Sequence, residues 1–273
     1  MQIKTFITAG FCSFVAFSIP QQIVAIERDA RFIVGLGYDY SEIEDSDSQS
    51  YGASAEIALT KKGTFGLLLG AGALKGDSFY APDGQYFNAG VSWYPTRALK
   101  LSLLGFYNKI EGQDAYYGYS YLIDSIVYGV WDTEIETQGL SLTAKYFIFQ
   151  QSPRFTPFIL ASIGYSKTEA DATDGTVGWD VGPGRYYINT GSRYQNFPAS
   201  TAVEYDFDNT FRWNLGAGFD FMLSETVSLS AAAAFGVLDQ GGSYYVKGAI
   251  YHDTKFSSQD SFYTIGGSVR FFL

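Results

Sequence analysis

The chain has few of the residues that support disulfide, thiol or nucleic-acid chemistry. Its 273 residues include one cysteine, Cys12, and one histidine, His252. A single cysteine excludes an intramolecular disulfide framework. The 28 acidic residues outnumber the 18 basic ones, for a formal net charge of −10, so the basic face that nucleic acid requires is missing. We therefore predict no nucleic-acid partner and no cofactor.

Long apolar runs are also missing, except for one near the start. Residues 6–19 form an apolar run of about fourteen residues, too short to span a bilayer as a helix. A lysine precedes the run, and Pro20 and the small residue Ala25 follow it, which is the pattern of a cleavable secretory signal. We predict a signal peptide over residues 1–25 and one mature domain over residues 26–273.

What the chain has in abundance is aromatic residues, at 18%, and glycine, with 30 residues. Apolar residues alternate with small or polar ones along ten segments of roughly 9 to 12 residues, the length of a tilted membrane-spanning strand. One such segment places an apolar row opposite a polar one: Trp213, Leu215, Ala217, Phe219 and Phe221 against Arg212, Asn214, Gly216, Gly218 and Asp220.

The connections between these segments alternate strictly between long and short. This order is typical of a transmembrane barrel with short periplasmic turns and long extracellular loops. The sequence predicts an all-β, antiparallel up-and-down barrel of ten strands in the outer membrane, with eight strands as the alternative. The predicted long connections are 41–50, 75–85, 109–136, 167–210 and 239–261, and the short ones are 61–63, 94–98, 149–155 and 222–226.

Two stretches, TPFILASIGY (156–165) and WNLGAGFDFMLSETVSLSAAAAFG (213–236), carry a family resemblance. They resemble the small porin-like and opacity-type surface proteins of the outer-membrane β-barrel superfamily. The resemblance implies a membrane location with lipid and lipopolysaccharide as neighbours. It also implies assembly through a terminal strand recognised by the barrel-assembly machinery, which here would use Val269, Phe271 and Leu273.

The polar face of the predicted strands carries charges that would point into a narrow lumen. Charges of both signs in such an interior must pair or stay hydrated. One interpretation is a network that plugs the lumen, and the other is a wetted pore whose selectivity the charges set. The predicted lumenal residues are Arg31, Asp39, Glu56, Lys100, Lys145, Arg212, Asp220 and Arg270.

The predicted long loops are rich in tyrosine and tryptophan, which offer large contact areas at low entropic cost. Such loops could pack on one another or recognise a host or surface ligand. The candidates for recognition are Tyr117, Tyr119, Trp131, Trp179 and Tyr187. We predict a non-enzymatic barrel with a structural or adhesin-like role, and a narrow porin-like channel for small solutes is the alternative.

Two catalytic or metal-binding patterns are incomplete. His252 lacks the acidic partners at the spacing that omptin proteases would require, so we predict no catalytic residue. Asp45, Asp47 and Glu56 match some positions of a calcium-binding loop, but Ser50 stands where that loop needs glycine. We therefore predict no metal site.

Overall fold

The computed structural model describes residues 31–43, 46–60, 64–76, 83–120, 125–148, 154–181, 194–246 and 253–273. The predicted signal peptide, His252 and Tyr187 lie outside them. Twelve strands and one short helix make up the described part. They are β1 Phe32–Ile43, β2 Ser46–Ala58, β3 Phe65–Gly76, β4 Asp83–Trp93, β5 Leu99–Ser120, β6 Ser125–Phe147, β7 Phe155–Val181, β8 Tyr194–Pro198, α1 Ala199–Ala202, β9 Val203–Phe207, β10 Thr210–Met222, β11 Val227–Val246 and β12 Asp253–Phe272.

Ten of these strands close into an antiparallel barrel. Each of β1 to β7 pairs with its neighbour in sequence, β10 follows β7 in the wall, and β11 and β12 lead back to β1. The closing pair runs from Ile33 opposite Phe272 to Ile43 opposite Phe262. The prediction of ten strands is confirmed, and the eight-stranded alternative is wrong.

The outer wall is apolar over the height of a bilayer. Because side chains alternate across a strand, one row of each strand faces outward, and these rows leave large apolar side chains exposed. Aromatic residues flank the belt at both ends, as in transmembrane barrels. The girdle nearer the short turns includes Phe65, Trp93, Tyr146, Phe155, Phe221 and Phe271, and the opposite girdle includes Tyr38, Tyr51, Phe87, Tyr165, Phe211 and Tyr263.

Several strands continue far beyond this belt. β5, β6 and β7 have 22, 23 and 27 residues, whereas crossing a bilayer takes about 9–11. Much of the predicted long connections 41–50, 109–136, 167–210 and 239–261 is strand. We call the part of β5, β6, β7 and β11 beyond the belt, together with β8, α1 and β9, the extracellular extension.

The extension reverses the polarity of the barrel wall. Ile110, Trp131 and Val177 point inward and are buried. The outward rows instead carry charged residues, such as Glu134 and Glu169. The polarity is reversed because the outer face of the wall contacts hydrocarbon in the belt and water above it.

β8 and β9 replace β10 in the wall of the extension. β10 begins at Thr210, whereas its neighbours β7 and β11 extend further. β8 pairs with the end of β7, β9 pairs with the end of β11, and α1 connects the two. Among the residues that the structure describes, no helix is long and apolar enough to cross a membrane.

Candidate functional site: the lumenal charge network

Charged side chains meet inside the barrel in two buried clusters. In the first, Lys100 donates to Glu56 at 2.9 Å, and both side chains are at most 5% exposed. The hydroxyls of Ser92 and Tyr94 donate to the other oxygen of the same carboxylate, the latter at 3.2 Å. Both oxygens of the Glu56 carboxylate therefore accept hydrogen bonds, and these bonds offset much of the cost of burying its charge.

The second cluster joins three strands that are not neighbours in the wall, β6, β10 and β12. Lys145 on β6 lies 2.9 Å from Asp220 on β10. Arg270 on β12 approaches the second oxygen of Asp220 at 3.6 Å. All three side chains are at most 1% exposed, so the cluster is shielded from water.

Aromatic rings pack around the second cluster. The Lys145 ammonium lies 3.6 Å from the centre of the Phe158 ring and 4.9 Å from that of Phe147. Ring faces attract cations, more strongly when water is excluded. Tyr94 and Leu160 complete this apolar layer.

Two further charged residues face the lumen nearer the extracellular end. The Arg212 guanidinium lies 5.1 Å from the centre of the Phe106 ring. Asp39 is buried on β1. Asp260 also lies in the interior and accepts a hydrogen bond from Gln240. Among the residues with a described burial, the buried charged side chains comprise four acids and four bases: Asp39, Glu56, Asp220 and Asp260 with Lys100, Lys145, Arg212 and Arg270.

Seven of the eight predicted lumenal residues lie in this interior. Arg31 does not, because it precedes β1 at the mouth of the barrel, where its side chain is exposed to water. Tyr94 and Asp260 also belong to the interior and were not predicted. Tyr94 continues the inward row of Ser92 by strand parity, which could have identified it, whereas Asp260 fell in a predicted loop.

The predicted recognition residues lie on strands where the structure describes them. The backbones of Tyr117 and Tyr119 belong to β5 and that of Trp179 to β7. Trp131 was predicted to lie on an exposed loop, and this is wrong, because it lies on β6 with 4% of its surface exposed. Its indole N–H donates to the Tyr205 hydroxyl on β9 at 2.8 Å.

The predicted assembly residues lie on the closing strand. Val269 and Phe271 are paired with both β1 and β11. The amide of Leu273 donates to the carbonyl of Phe32 at 2.8 Å. The geometry places these residues at the seam of the barrel, and their recognition by assembly machinery stays a prediction.

Charged pairs on the outside of the extension differ from those in the lumen. Lys109 lies close to Glu134, and Lys167 lies close to Glu169, all of them at least 30% exposed. The hydrogen bond to Glu169 raises the pKa of Lys167, and that to Glu134 raises the pKa of Lys109. Both lysines therefore stay charged at neutral pH.

A closed ten-stranded barrel with an apolar belt, aromatic girdles and a polar interior defines an integral outer-membrane protein. No protein-family model and no curated protein sequence matches the chain. Solved structures of similar architecture include the translocator domain of autotransporter NalP from Neisseria meningitidis, which is 10% identical with a TM-score of 0.48, over 98% of this chain and 95% of that one.

Two further structures are similar to a lesser degree. The outer membrane protein OprG from Pseudomonas aeruginosa is 13% identical with a TM-score of 0.40, over 91% of this chain and 99% of that one. The outer membrane protease OmpT from Escherichia coli is 7% identical with a TM-score of 0.40, over 89% and 96%. We take no activity of this chain from these likenesses.

Proposed function

We propose that the protein is a non-enzymatic outer-membrane barrel with a structural and surface-recognition role, in which the extracellular extension presents the contact surface. The main support for this proposal is that the wall continues well beyond the belt as paired strands whose outer face is polar. On this proposal residues 1–25 direct export, and host or surface ligands meet the extension.

The outer face of the extension supports this role by its charge. Glu111, Glu134 and Asp171 lie side by side across β5, β6 and β7. Like charges opposite one another weaken a sheet, and Lys109 lies close to only one of the three carboxylates, that of Glu134. A contact surface for a partner with basic groups fits it better.

The burial of the lumenal charges counts against the alternative, a narrow channel for small solutes. The side chains of Lys145, Asp220 and Arg270 are at most 1% exposed. Among the described residues, the buried acids and bases are also equal in number, so they provide no excess of one sign to select an ion. The channel proposal therefore requires the network to open.

The test combines adherence with conductance. Non-adherent bacteria that display the wild type should bind an immobilised basic protein, such as lysozyme. A triple variant, Glu111→Lys, Glu134→Lys and Asp171→Lys, should bind several-fold less, and Glu225→Lys in a short turn at the other end of the barrel should bind like the wild type. Equal adherence of wild type and triple variant, or none by either, would contradict the recognition role.

Conductance in planar bilayers addresses the alternative. We expect no steady single-channel steps from the wild type. Regular steps that disappear or change selectivity on substitution of Lys145 or Asp220 would favour the channel and count against a closed lumen.

A further inference from the structure

In the part of the chain that the structure describes, the wall of the extracellular extension has a free strand edge. β4 begins at Asp83, which pairs with Glu111, whereas β5 continues to Ser120. Residues 112–120 of β5 pair with β6 on one side, and no described strand pairs with their other side. We call this stretch the β5 edge.

The direction of the backbone groups along the β5 edge follows from the ladder below it. In an antiparallel sheet, successive residues of a strand bond to opposite neighbours. The amide of Phe147 on β6 donates to the carbonyl of Ala98 at 2.8 Å, so the even-numbered residues of β5 bond to β6 and the odd-numbered ones to β4. The register between β5 and β6 is continuous up to Ser120. The residues whose N–H and C=O groups point to the open side are therefore Gln113, Ala115, Tyr117 and Tyr119.

Free edges of this length are usually protected from pairing by lysine, proline or a covering element. β12 also continues above its last pair with β1, Ile43 opposite Phe262, and this stretch contains Lys255. The β5 edge contains neither lysine nor proline. Its sequence therefore leaves it able to accept a further strand.

The outer face beside the β5 edge is acidic. Asp83 and Glu111 lie opposite each other on β4 and β5, and Asp132 on β6 lies opposite Gln113. The three acidic residues are exposed. Because opposite charges on neighbouring strands stabilise a sheet, a strand added here is favoured by basic residues on its outer face.

We infer that the β5 edge binds an extended, basic segment of a partner protein as an additional antiparallel strand. Main-chain hydrogen bonds provide affinity, and the acidic outer face selects basic residues at every second position. A second copy in the same membrane does not fit, because its β5 runs in the same direction and cannot pair antiparallel. The inference rests on the proposed recognition role and adds the form in which the basic partner binds.

The test uses a short peptide that alternates lysine and valine, with full-length protein in detergent micelles and fluorescence anisotropy as the readout. Opposite residues of an antiparallel ladder share a face, so the outward lysines are also the residues whose main-chain groups bond to β5. N-methylation of the lysine amides should weaken binding about tenfold, which corresponds to about 1.4 kcal/mol. N-methylation of the valine amides keeps the same charge and should leave binding unchanged.

A matched pair of protein variants tests the same edge. Ala115→Pro removes a donor on the open side and leaves the ladder to β6 intact, as proline on an edge strand can. It should weaken binding of the unmodified peptide about as much as lysine N-methylation does. Ser257→Pro makes the same change on the free stretch of β12 and should bind like the wild type. Heat-modifiable migration checks that both variants fold, and the comparison of the two methylated peptides needs neither.

Binding of lysozyme separates failure of this inference from failure of the recognition role. If lysozyme binds but the peptide does not, or if both methylated peptides bind equally well, the acidic face recognises charge alone and the β5 edge takes no strand. Undiminished peptide binding by folded Ala115→Pro would have the same meaning. If neither lysozyme nor any peptide binds, both proposals are wrong.

Discussion

Lys100 and Lys145 lie directly opposite each other on β5 and β6, and both point into the lumen. Like charges in this position normally destabilise a sheet. Here each lysine turns to its own carboxylate, Glu56 for Lys100 and Asp220 for Lys145. The two lysines therefore link the two clusters into one layer that crosses the barrel.

Removing one partner of a buried pair should be more harmful than removing both. We expect Lys100→Met to lower the free energy of unfolding by about 3–5 kcal/mol, because it leaves the Glu56 carboxylate buried without a counter-charge. The double variant with Glu56→Gln should lose clearly less. Urea unfolding in micelles measures all three proteins.

The exposed pair of Lys167 and Glu169 provides the control for this experiment. Lys167→Met should be nearly neutral, since solvent screens exposed ion pairs. A double variant as unstable as Lys100→Met alone would show that the cost comes from packing rather than from the unpaired charge.

The lipid belt makes a second prediction, at Leu215 on β10. This side chain faces outward between the two girdles and is 58% exposed. Leu215→Arg should cost about 2–4 kcal/mol, the range for a cation on the lipid face near the bilayer midplane. Equilibrium unfolding from lipid vesicles measures it.

A matched substitution above the belt distinguishes the cost of placing a charge in lipid from a general loss of stability caused by the substitution. Asp239→Arg also introduces an arginine on an outward row, at an exposed position of β11 beyond the belt. It should leave stability close to that of the wild type. Similar losses for both variants would argue that hydrocarbon does not surround Leu215.

The barrel could be predicted from the sequence because two different solvents meet its two faces inside the membrane. Hydrocarbon requires apolar side chains outside, and the narrow lumen accepts small and polar ones, so the period of two is strong along β10. The same parity predicted that Lys145 and Asp220 share the interior. The pairing of each acid with a base depends on which strands lie near each other and at what height their side chains meet. Alternation along a single sequence does not contain this information.

The extension could not be predicted in this way, because its alternation runs in the opposite sense. At Lys109, Ile110 and Glu111 the outward residues become charged and the inward residue becomes apolar. A search for an apolar outer row therefore ends at Tyr107, although β5 continues to Ser120. Trp131 was misplaced on a loop for the same reason.

The closing strand provides a third prediction. Deleting residues 271–273 removes backbone pairing with both β1 and β11, including the bond between Leu273 and Phe32. We expect a lower yield of folded barrel, measured as the heat-modifiable fraction on a gel. Leu273→Phe retains the pairing and an apolar group, and it should fold normally. Normal yield from the deletion would contradict a requirement for this segment.

The hydrogen bond between Trp131 and Tyr205 makes the last prediction, about the extension alone. It ties β6 to β9 across the region where β8, α1 and β9 replace β10. Tyr205→Phe removes the acceptor but retains the ring stacked on Phe207, so the local opening free energy should fall by about 0.5–1.5 kcal/mol.

Hydrogen exchange should show this change as faster exchange in β9, while the membrane strands β10 and β12 exchange as in the wild type, because regions of low stability open locally. Trp131→Phe removes the same bond and also buried packing, so its effect should be larger. The double variant should lose less than the sum of the two single changes, since they share that bond. Faster exchange throughout the barrel would mean that the extension and the membrane strands unfold together. An unchanged exchange rate in β9 would mean that the hydrogen bond between Trp131 and Tyr205 does not stabilise the position of β9 in the wall.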